Sequence, residues 1–300
     1  MTNRPLVIGA GELLWDCFPD GRRPGGAPAN VAFHAQQLGL QGVIYSRVGR
    51  DQWGNELSAF LGERGLTTQY IQRDAEHETG RVTVDLSDRD HPAFTIHEDG
   101  AWDYLALDEP TRQLAGKAAA ICFGTLAQRN KPSREALHGL LRAAPPECRI
   151  VYDVNFRPPW LNRDWLEKSL RAADVVKLND DEAGLVSALL ELGVAELAAL
   201  ARRLIDDFDV ALVCVTRGEN GCLLVSKTEQ VVAAGIPVRC VDPVGAGDAF
   251  TAALIFAQLR KWPLRSTAEF ANQVGALVAT HQGAMPKLSS EFSGLIKQFE

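Results

Sequence analysis

Beyond residue 110 the chain alternates between short apolar runs and longer stretches with helical spacing. Residues 118–123 form an apolar run ending at Gly124. Residues 133–143 carry helical spacing, 149–153 read as a strand, 164–173 as a helix and 175–178 as a strand. Over 194–208 the apolar residues fall at 194, 197, 200, 201, 204, 205 and 208, the repeat of one helix face. Residues 210–215 are apolar throughout, as in a strand buried on both faces. A strand over 238–241 leads toward an apolar helix over 249–259, and a further helix is expected over 268–280. Strands alternating with helices of this length predict an α/β fold, a mainly parallel sheet with helices on both faces.

The first hundred residues follow another rhythm. Residues 81–85 read Arg-Val-Thr-Val-Asp, the period of a half-exposed strand. Residues 92–97 and 12–18 are similar, with turns at 87–90 and at Pro19-Asp20-Gly21. These pieces predict a small β-sheet standing off the main body, built from segments 12–27 and 79–99. Such an appendage is expected to act as a lid over substrate. No repeat, low-complexity tract or Ser/Gly-rich linker divides the chain.

The 300 residues are 46% hydrophobic and 23% charged, which excludes a disordered or collagen-like chain. The 31 basic and 38 acidic residues leave a net charge of −7, so neither nucleic acid nor an anionic membrane is expected as a partner. An anionic small molecule stays open, because a local site can oppose the global charge. No apolar run reaches the 18 residues a membrane span needs, and the apolar stretch 6–8 is too short for a signal-peptide core. The six cysteines (17, 122, 148, 214, 222 and 240) form no C-x-x-C pair, and those at 122, 148, 214 and 240 have apolar neighbours. They read as reduced, mostly buried thiols of a cytoplasmic enzyme.

Four segments carry candidate chemistry. In Asp242-Pro243-Val244-Gly245-Ala246-Gly247-Asp248 a glycine-rich turn opens a helix. Free backbone N–H groups there would make an anion hole, and Asp248 would be the base that takes a proton from an attacking hydroxyl. Helix capping by Asp248 is the competing reading. In Pro24-Gly25-Gly26-Ala27-Pro28-Ala29-Asn30 the glycines permit close approach and Asn30 offers a donor and an acceptor to a sugar hydroxyl; a tight turn with an Asn cap is the alternative. Thr216-Arg217-Gly218-Glu219-Asn220-Gly221 places a phosphate-sized turn at the end of a strand, or a hairpin turn. Asn179-Asp180-Asp181-Glu182 could hold Mg²⁺ through water, or cap a helix. Two other motifs fail. Gly9-Ala10-Gly11 lacks the third glycine of a dinucleotide fingerprint, since position 14 is Leu, and no P-loop is present. The histidines show no zinc-ligand spacing.

Taken in this order, the four segments resemble the PfkB or ribokinase-like sugar kinase family over about residues 6–290. Gly25-Gly26-x-Pro28-x-Asn30-x-Ala32 with Gly39 and Gly49 is similar to its N-terminal signature. Asp242 to Asp248 is similar to its C-terminal one, with Asn179-x-x-Glu182 and Thr216-x-Gly218-x-x-Gly221 between. Within the family, Gly11-Glu12-Leu13-Leu14-Trp15-Asp16, Gly100-Ala101-Trp102-Asp103 and Asp153-Val154-Asn155-Phe156-Arg157 resemble the bacterial fructokinase group. The resemblance implies one ribokinase-like three-layer domain over residues 1–300 with a β lid, and ATP-dependent phosphorylation of a sugar, D-fructose to fructose 6-phosphate. Ribose, 2-keto-3-deoxygluconate and a nucleoside are the alternative substrates, and a non-catalytic sensor is the alternative of another class. It implies Asp248 as base; Gly245, Ala246 and Gly247 as anion hole; and Asp16, Gly25, Gly26, Asn30 and Arg157 toward the sugar, Arg157 also toward the transferring phosphate. Asn179, Thr216, Gly218, Gly221, Gly245, Gly247 and Asn272 fall toward ATP and Glu182 toward Mg²⁺. Asp242, with carbonyls near Val244, Val278, His281 and Gly283, matches a K⁺ site. Pro243 and Lys287 depart from the pattern: the family more often has Thr at 243, and a lysine ammonium near that cation would weaken K⁺ dependence. Lid residues Val82, Val84, Phe94 and Ile96 are expected to be exposed and to pair two copies into a homodimer. Arg22, Arg23 and Arg81 are the lid cations an anionic substrate would use.

Overall fold

The computed structural model describes residues 4–85 and 93–300; the start 1–3, the expected turn at 87–90 and Pro92 lie outside them. The strands are β1 (Leu6–Ala10), β2 (Leu14–Phe18), β3 (Gly21–Gly25), β4 (Gln41–Gly49), β5 (Ile71–Asp74), β6 (Gly80–Asp85), β7 (Ala93–Ile96), β8 (Ala120–Gly124), β9 (Arg149–Asp153), β10 (Val175–Asn179), β11 (Leu212–Thr216), β12 (Cys222–Ser226) and β13 (Gln230–Ala233). The α-helices are α1 (Ala27–Gln37), α2 (Gln52–Glu63), α3 (Glu109–Ala115), α4 (Lys131–Ala143), α5 (Arg163–Ala172), α6 (Asp180–Leu189), α7 (Leu197–Phe208), α8 (Ala246–Leu259), α9 (Leu264–Ala279) and α10 (Ser289–Phe299).

Nine strands form one sheet in the order β13-β12-β11-β10-β9-β8-β1-β4-β5. From β5 to β11 neighbours run parallel, and β12 and β13 add an antiparallel edge. Its strands alternate between two buried faces. Ile8, Ile121, Val176 and Val213 pack under α3 to α7, while Val7, Cys122, Val151, Val175 and Cys214 pack under α1, α8, α9 and α10. Both faces being covered is why these strands read as apolar runs rather than as alternation. Helix α8 is buried along Ala249–Ala257 because α1 and α9 flank it.

The lid is the second sheet, in the order β3-β2-β6-β7. The lid's inner face carries Leu14, Asp16, Val82 and Val84, since Leu14 is opposite Gly80 and Asp16 opposite Val82. Among the described residues, no helix is long and apolar enough to cross a membrane.

Three expectations are corrected. No strand forms over 238–241; that segment lacks regular structure, and Ile236, Val238, Val241 and Val244 are exposed. Val82 and Val84 are buried against Leu14, while Phe94, opposite Val84 on the edge strand, is 61% exposed. Cys240 is exposed, whereas Cys122, Cys148, Cys214 and Cys222 are buried; all six thiols are free.

Candidate active site

In a parallel sheet, ligands sit at the carboxyl ends of the strands where the winding reverses. Here β1 lies between β4 and β8, so the reversal falls beside β1. Glu12 follows β1, Asp153 ends β9, Asn179 ends β10 and Thr216 ends β11, all on that rim.

Helix α1 enters this rim through two glycines. A Cβ on Gly25 would fall 2.3 Å from Asp16 Oδ2, and one on Gly26 (φ 121°) 2.4 Å from the Glu12 carbonyl oxygen. Both positions therefore need glycine for close approach. Gly26, not Asn30, is the N-cap. Asn30 sits in the first turn, buried, and its Nδ2 donates to Asp248 Oδ2 at 2.7 Å. Its Oδ1 has no partner.

Helix α8 starts after Gly245, whose φ of 82° is the left-handed region. A Cβ there would come within 2.6 Å of Ala284 Cα, so the turn has room only for glycine. The Ala246 amide turns back to the Pro243 carbonyl at 3.2 Å, and helix geometry leaves the amides of Gly247 and Asp248 without intrahelical acceptors. Asp248 does not cap its helix; its carboxylate reaches across to α1.

Four acids and three cations shape the electrostatics. Burial pushes the Asp248 carboxyl up to about 6, helped by Asp153 and opposed by the Asn30 hydrogen bond, Lys177 and Arg157. Burial raises Glu12 to about 7, with Arg157 opposing and Asp248 adding to the rise. Asp16 rises to about 6, again by burial, against Arg157 and Arg23. Arg157 is itself exposed, donates to the Phe156 carbonyl, and acts on all three acids. Glu12 is 3% exposed and its Oε2 has no partner.

Toward the other sheet edge, Asn179 and Glu182 form a capping box on α6: Asn179 Oδ1 accepts the Glu182 amide and Glu182 Oε2 the Asn179 amide, each at 2.8 Å. Glu182 Oε1 also accepts the Phe156 amide at 2.9 Å. The capping alternative is thus realised, and Glu182 ties the loop bearing Arg157 to α6. The glycine turn after β11 does form a hairpin into β12; Thr216 Oγ1 faces the Leu178 carbonyl. Gly218 and Gly221 take φ of 52° and 83°, and a Cβ on Gly221 would fall 2.1 Å from the Ala233 carbonyl oxygen. Asn272 Nδ2 donates to the Ala234 carbonyl at 3.0 Å, holding the segment after β13 against this turn, where a Cβ on Gly235 would fall 1.8 Å from the Glu219 carbonyl oxygen.

Asp242 joins two loops, accepting the Val244 amide at 3.0 Å and the Gly283 amide at 2.9 Å. The Val278 carbonyl accepts the His281 amide. Lys287 is exposed. Of the lid arginines, Arg22 is ion-paired with Glu56 and stands 5.0 Å from both Trp15 and Trp53, fastening the lid to α2. Arg23 lies opposite Asp16. Among the described residues no three His, Cys, Asp or Glu side chains are grouped to hold a metal ion.

Sequence reasoning missed Glu12, Asp153 and Lys177 as site residues. The available signal was charge in apolar surroundings: a lysine inside Val175-Val176-Lys177-Leu178 and an acid ending Ile150-Val151-Tyr152-Asp153.

The family profile described as pfkB family carbohydrate kinase matches residues 8–291. The chain is 30% identical to a fructokinase of Vibrio alginolyticus, over 94% of this chain and 95% of that protein. A fructokinase of Xylella fastidiosa with bound ATP superposes with a TM-score of 0.86 at 25% identity, covering 98% of each chain. A fructokinase of Vibrio cholerae with fructose, ADP and calcium gives 0.81 at 25% identity, covering 99% of this chain and 100% of that one.

Proposed function

The chain belongs to the pfkB family of carbohydrate kinases, and we propose that it phosphorylates D-fructose to fructose 6-phosphate with ATP as donor and Asp248 as general base. The observation that carries the reading is the bond from Asn30 to Asp248, which sets a carboxylate beside the open start of α8. In this mechanism the primary hydroxyl attacks the γ-phosphate in line. Asp248 accepts its proton, and the Gly247 and Asp248 amides meet the charge on the phosphoryl group. Arg157 balances the acids around the sugar and closes over the phosphate side. Lid closure excludes water that would otherwise take the phosphate.

Two buried acceptors, Glu12 Oε2 and Asn30 Oδ1, lack donors. Sugar hydroxyls would supply them. The pocket carries Glu12, Asp16 and Asp248 against Arg157 and Arg23, and Arg22 is committed to Glu56. This balance favours a neutral polyol over an anionic keto acid. The Vibrio relatives bearing the fructokinase name support fructose within that class.

Bound Mg²⁺ would neutralise phosphate charge. Each Glu182 oxygen accepts one N–H and keeps lone pairs for a metal-bound water. Asp242 likewise keeps lone pairs between the two loops that a K⁺ would join. The nucleotide would lie against Thr216, Gly218, Gly221 and Asn272. We place the enzyme in the cytoplasm, in keeping with its six free thiols, and read residues 1–300 as one catalytic unit with its lid.

The test is ATP turnover with D-fructose beside ribose, 2-keto-3-deoxygluconate, adenosine and fructose 6-phosphate, with Mg²⁺ and K⁺. Selective turnover of fructose is expected. Turnover of another acceptor would replace fructose and keep the mechanism; binding without turnover would favour the sensor reading.

We also propose a homodimer through the lid, resting on Phe94 at the exposed edge strand β7. Light scattering at micromolar concentration should give twice the chain mass, and Phe94→Asp should shift it toward one. A wild-type monomer at that concentration overturns it.

A further inference from the structure

A lysine inside a buried strand of an apolar sheet asks for a reason. Lys177 is 7% exposed, in the middle of β10, on the face covered by α8. Its Nζ donates to Asp153 Oδ1 at 3.0 Å, directly across the parallel register. The second Asp153 oxygen accepts Thr251 Oγ1 at 2.9 Å, one turn along α8 from Gly247. A Cβ on Gly247 would lie 3.4 Å from the ammonium. The cation is therefore packed beneath the first turn of α8, beside the positive end of the helix dipole, where it is disfavoured. Packing alone does not call for an ion pair here, since apolar residues of similar volume commonly serve as well.

We propose that the Lys177–Asp153 pair sets the ionisation of Asp248, with Lys177 holding the base in its charged form and Asp153 opposing it. Both are then positioning residues of phosphoryl transfer, acting through Asp248 rather than touching sugar or nucleotide. This rests on Asp248 being the base. The groups that face Asp248 are Asn30 from α1, Asp153 from β9, Lys177 from β10 and Arg157 from the loop after β9. Glu12 faces it from the β1–β2 connection, and the Cys122 thiol from β8. Glu182 faces the lysine from α6. The two effects on Asp248 are of opposite sign: the carboxylate of Asp153 raises its carboxyl and the ammonium of Lys177 lowers it. Burial opposes the charge on Lys177, yet the carboxylates of Asp153, Glu182 and Asp248 together hold the ammonium above its ordinary range.

The test is the acid limb of kcat against pH at saturating sugar, where the binding group Asp16 no longer counts, for the sugar that the wild-type enzyme phosphorylates. In the wild type the limb should fall near pH 6, where Asp248 takes up its proton. Asp153→Asn removes a like charge and should move the limb down by ~1 pH unit. Adding Lys177→Met to Asp153→Asn removes the cation and should move the limb back up by ~1 unit or more. The lysine is changed in that background because Lys177→Met alone would strand a buried carboxylate. A limb that stays in place or rises in Asp153→Asn overturns the proposal, as does one that fails to rise in the double variant. Thermal melting checks that each variant is folded, and Lys177→Gln replaces Met if the first double variant is not. A merely structural pair would lower activity at every pH and leave the limb unmoved. Failure of the underlying reading looks different: Asp248→Asn would then keep its turnover whatever the limb does.

Discussion

Asp248→Asn should lower kcat at least ~100-fold while the KM for the sugar changes little. The substitution preserves size and leaves an amide oxygen to accept from Asn30 Nδ2, so the contact between α1 and α8 survives. What is lost, on the proposed mechanism, is the carboxylate beside the open start of α8 that would take the hydroxyl proton as the phosphoryl bond forms. Positioned acid–base groups contribute roughly 10²–10⁴-fold. Loss of an interaction made only in the transition state appears in kcat rather than in KM. Steady-state kinetics on the folded variant decide it, and near-normal turnover removes Asp248 from the role of base.

The second large effect falls on the other kinetic parameter. Asp16→Ala should raise the sugar KM at least ~100-fold and alter kcat far less. Asp16 is held against Gly25 so closely that no side chain fits between them. Its carboxyl is raised to about 6, burial being the main cause, so it is ionised at neutral pH and able to accept hydrogen bonds. Hydrogen bonds to a charged group are worth about 1.5–3 kcal/mol each. Two lost to sugar hydroxyls correspond to at least ~10²-fold in affinity, since 1.4 kcal/mol is tenfold. An interaction of equal strength in ground and transition states moves KM alone. An unchanged KM would mean that the lid face of β2 does not touch the sugar. Together the two variants separate binding from chemistry, one on the lid and one on the main body.

Much of this molecule can be read along the chain. Strand β9 falls on residues 149–153 as the apolar run requires. Helix α7 begins at Leu197 rather than at 194, because Glu196 caps it by accepting the Ala198 and Ala199 amides. The lid strand β6 follows from period-two alternation over residues 80–85. The glycine turns before α1 and α8 were legible because a backbone that must approach another group closely leaves a mark in residue type. The expected strand over 238–241 failed for the complementary reason. Apolar residues there meet no sheet neighbour, and local pattern does not report whether a partner strand is present.

The site divides along the same line. Local chemistry determined that Asp248, Asn30, Asn179 and Glu182 stand at helix starts, since such residues favour those positions for reasons internal to one turn. Whether each of them caps its helix or faces outward was decided by what lies opposite. Asn179 and Glu182 close on each other within three residues, whereas Asn30 and Asp248 meet across 218 residues of chain. The pairing of Lys177 with Asp153 and the burial of Glu12 belong to the tertiary structure. A buried charge is tolerable only where a distant strand or helix brings its partner, and that partner is chosen by the register of the sheet, which no local window contains.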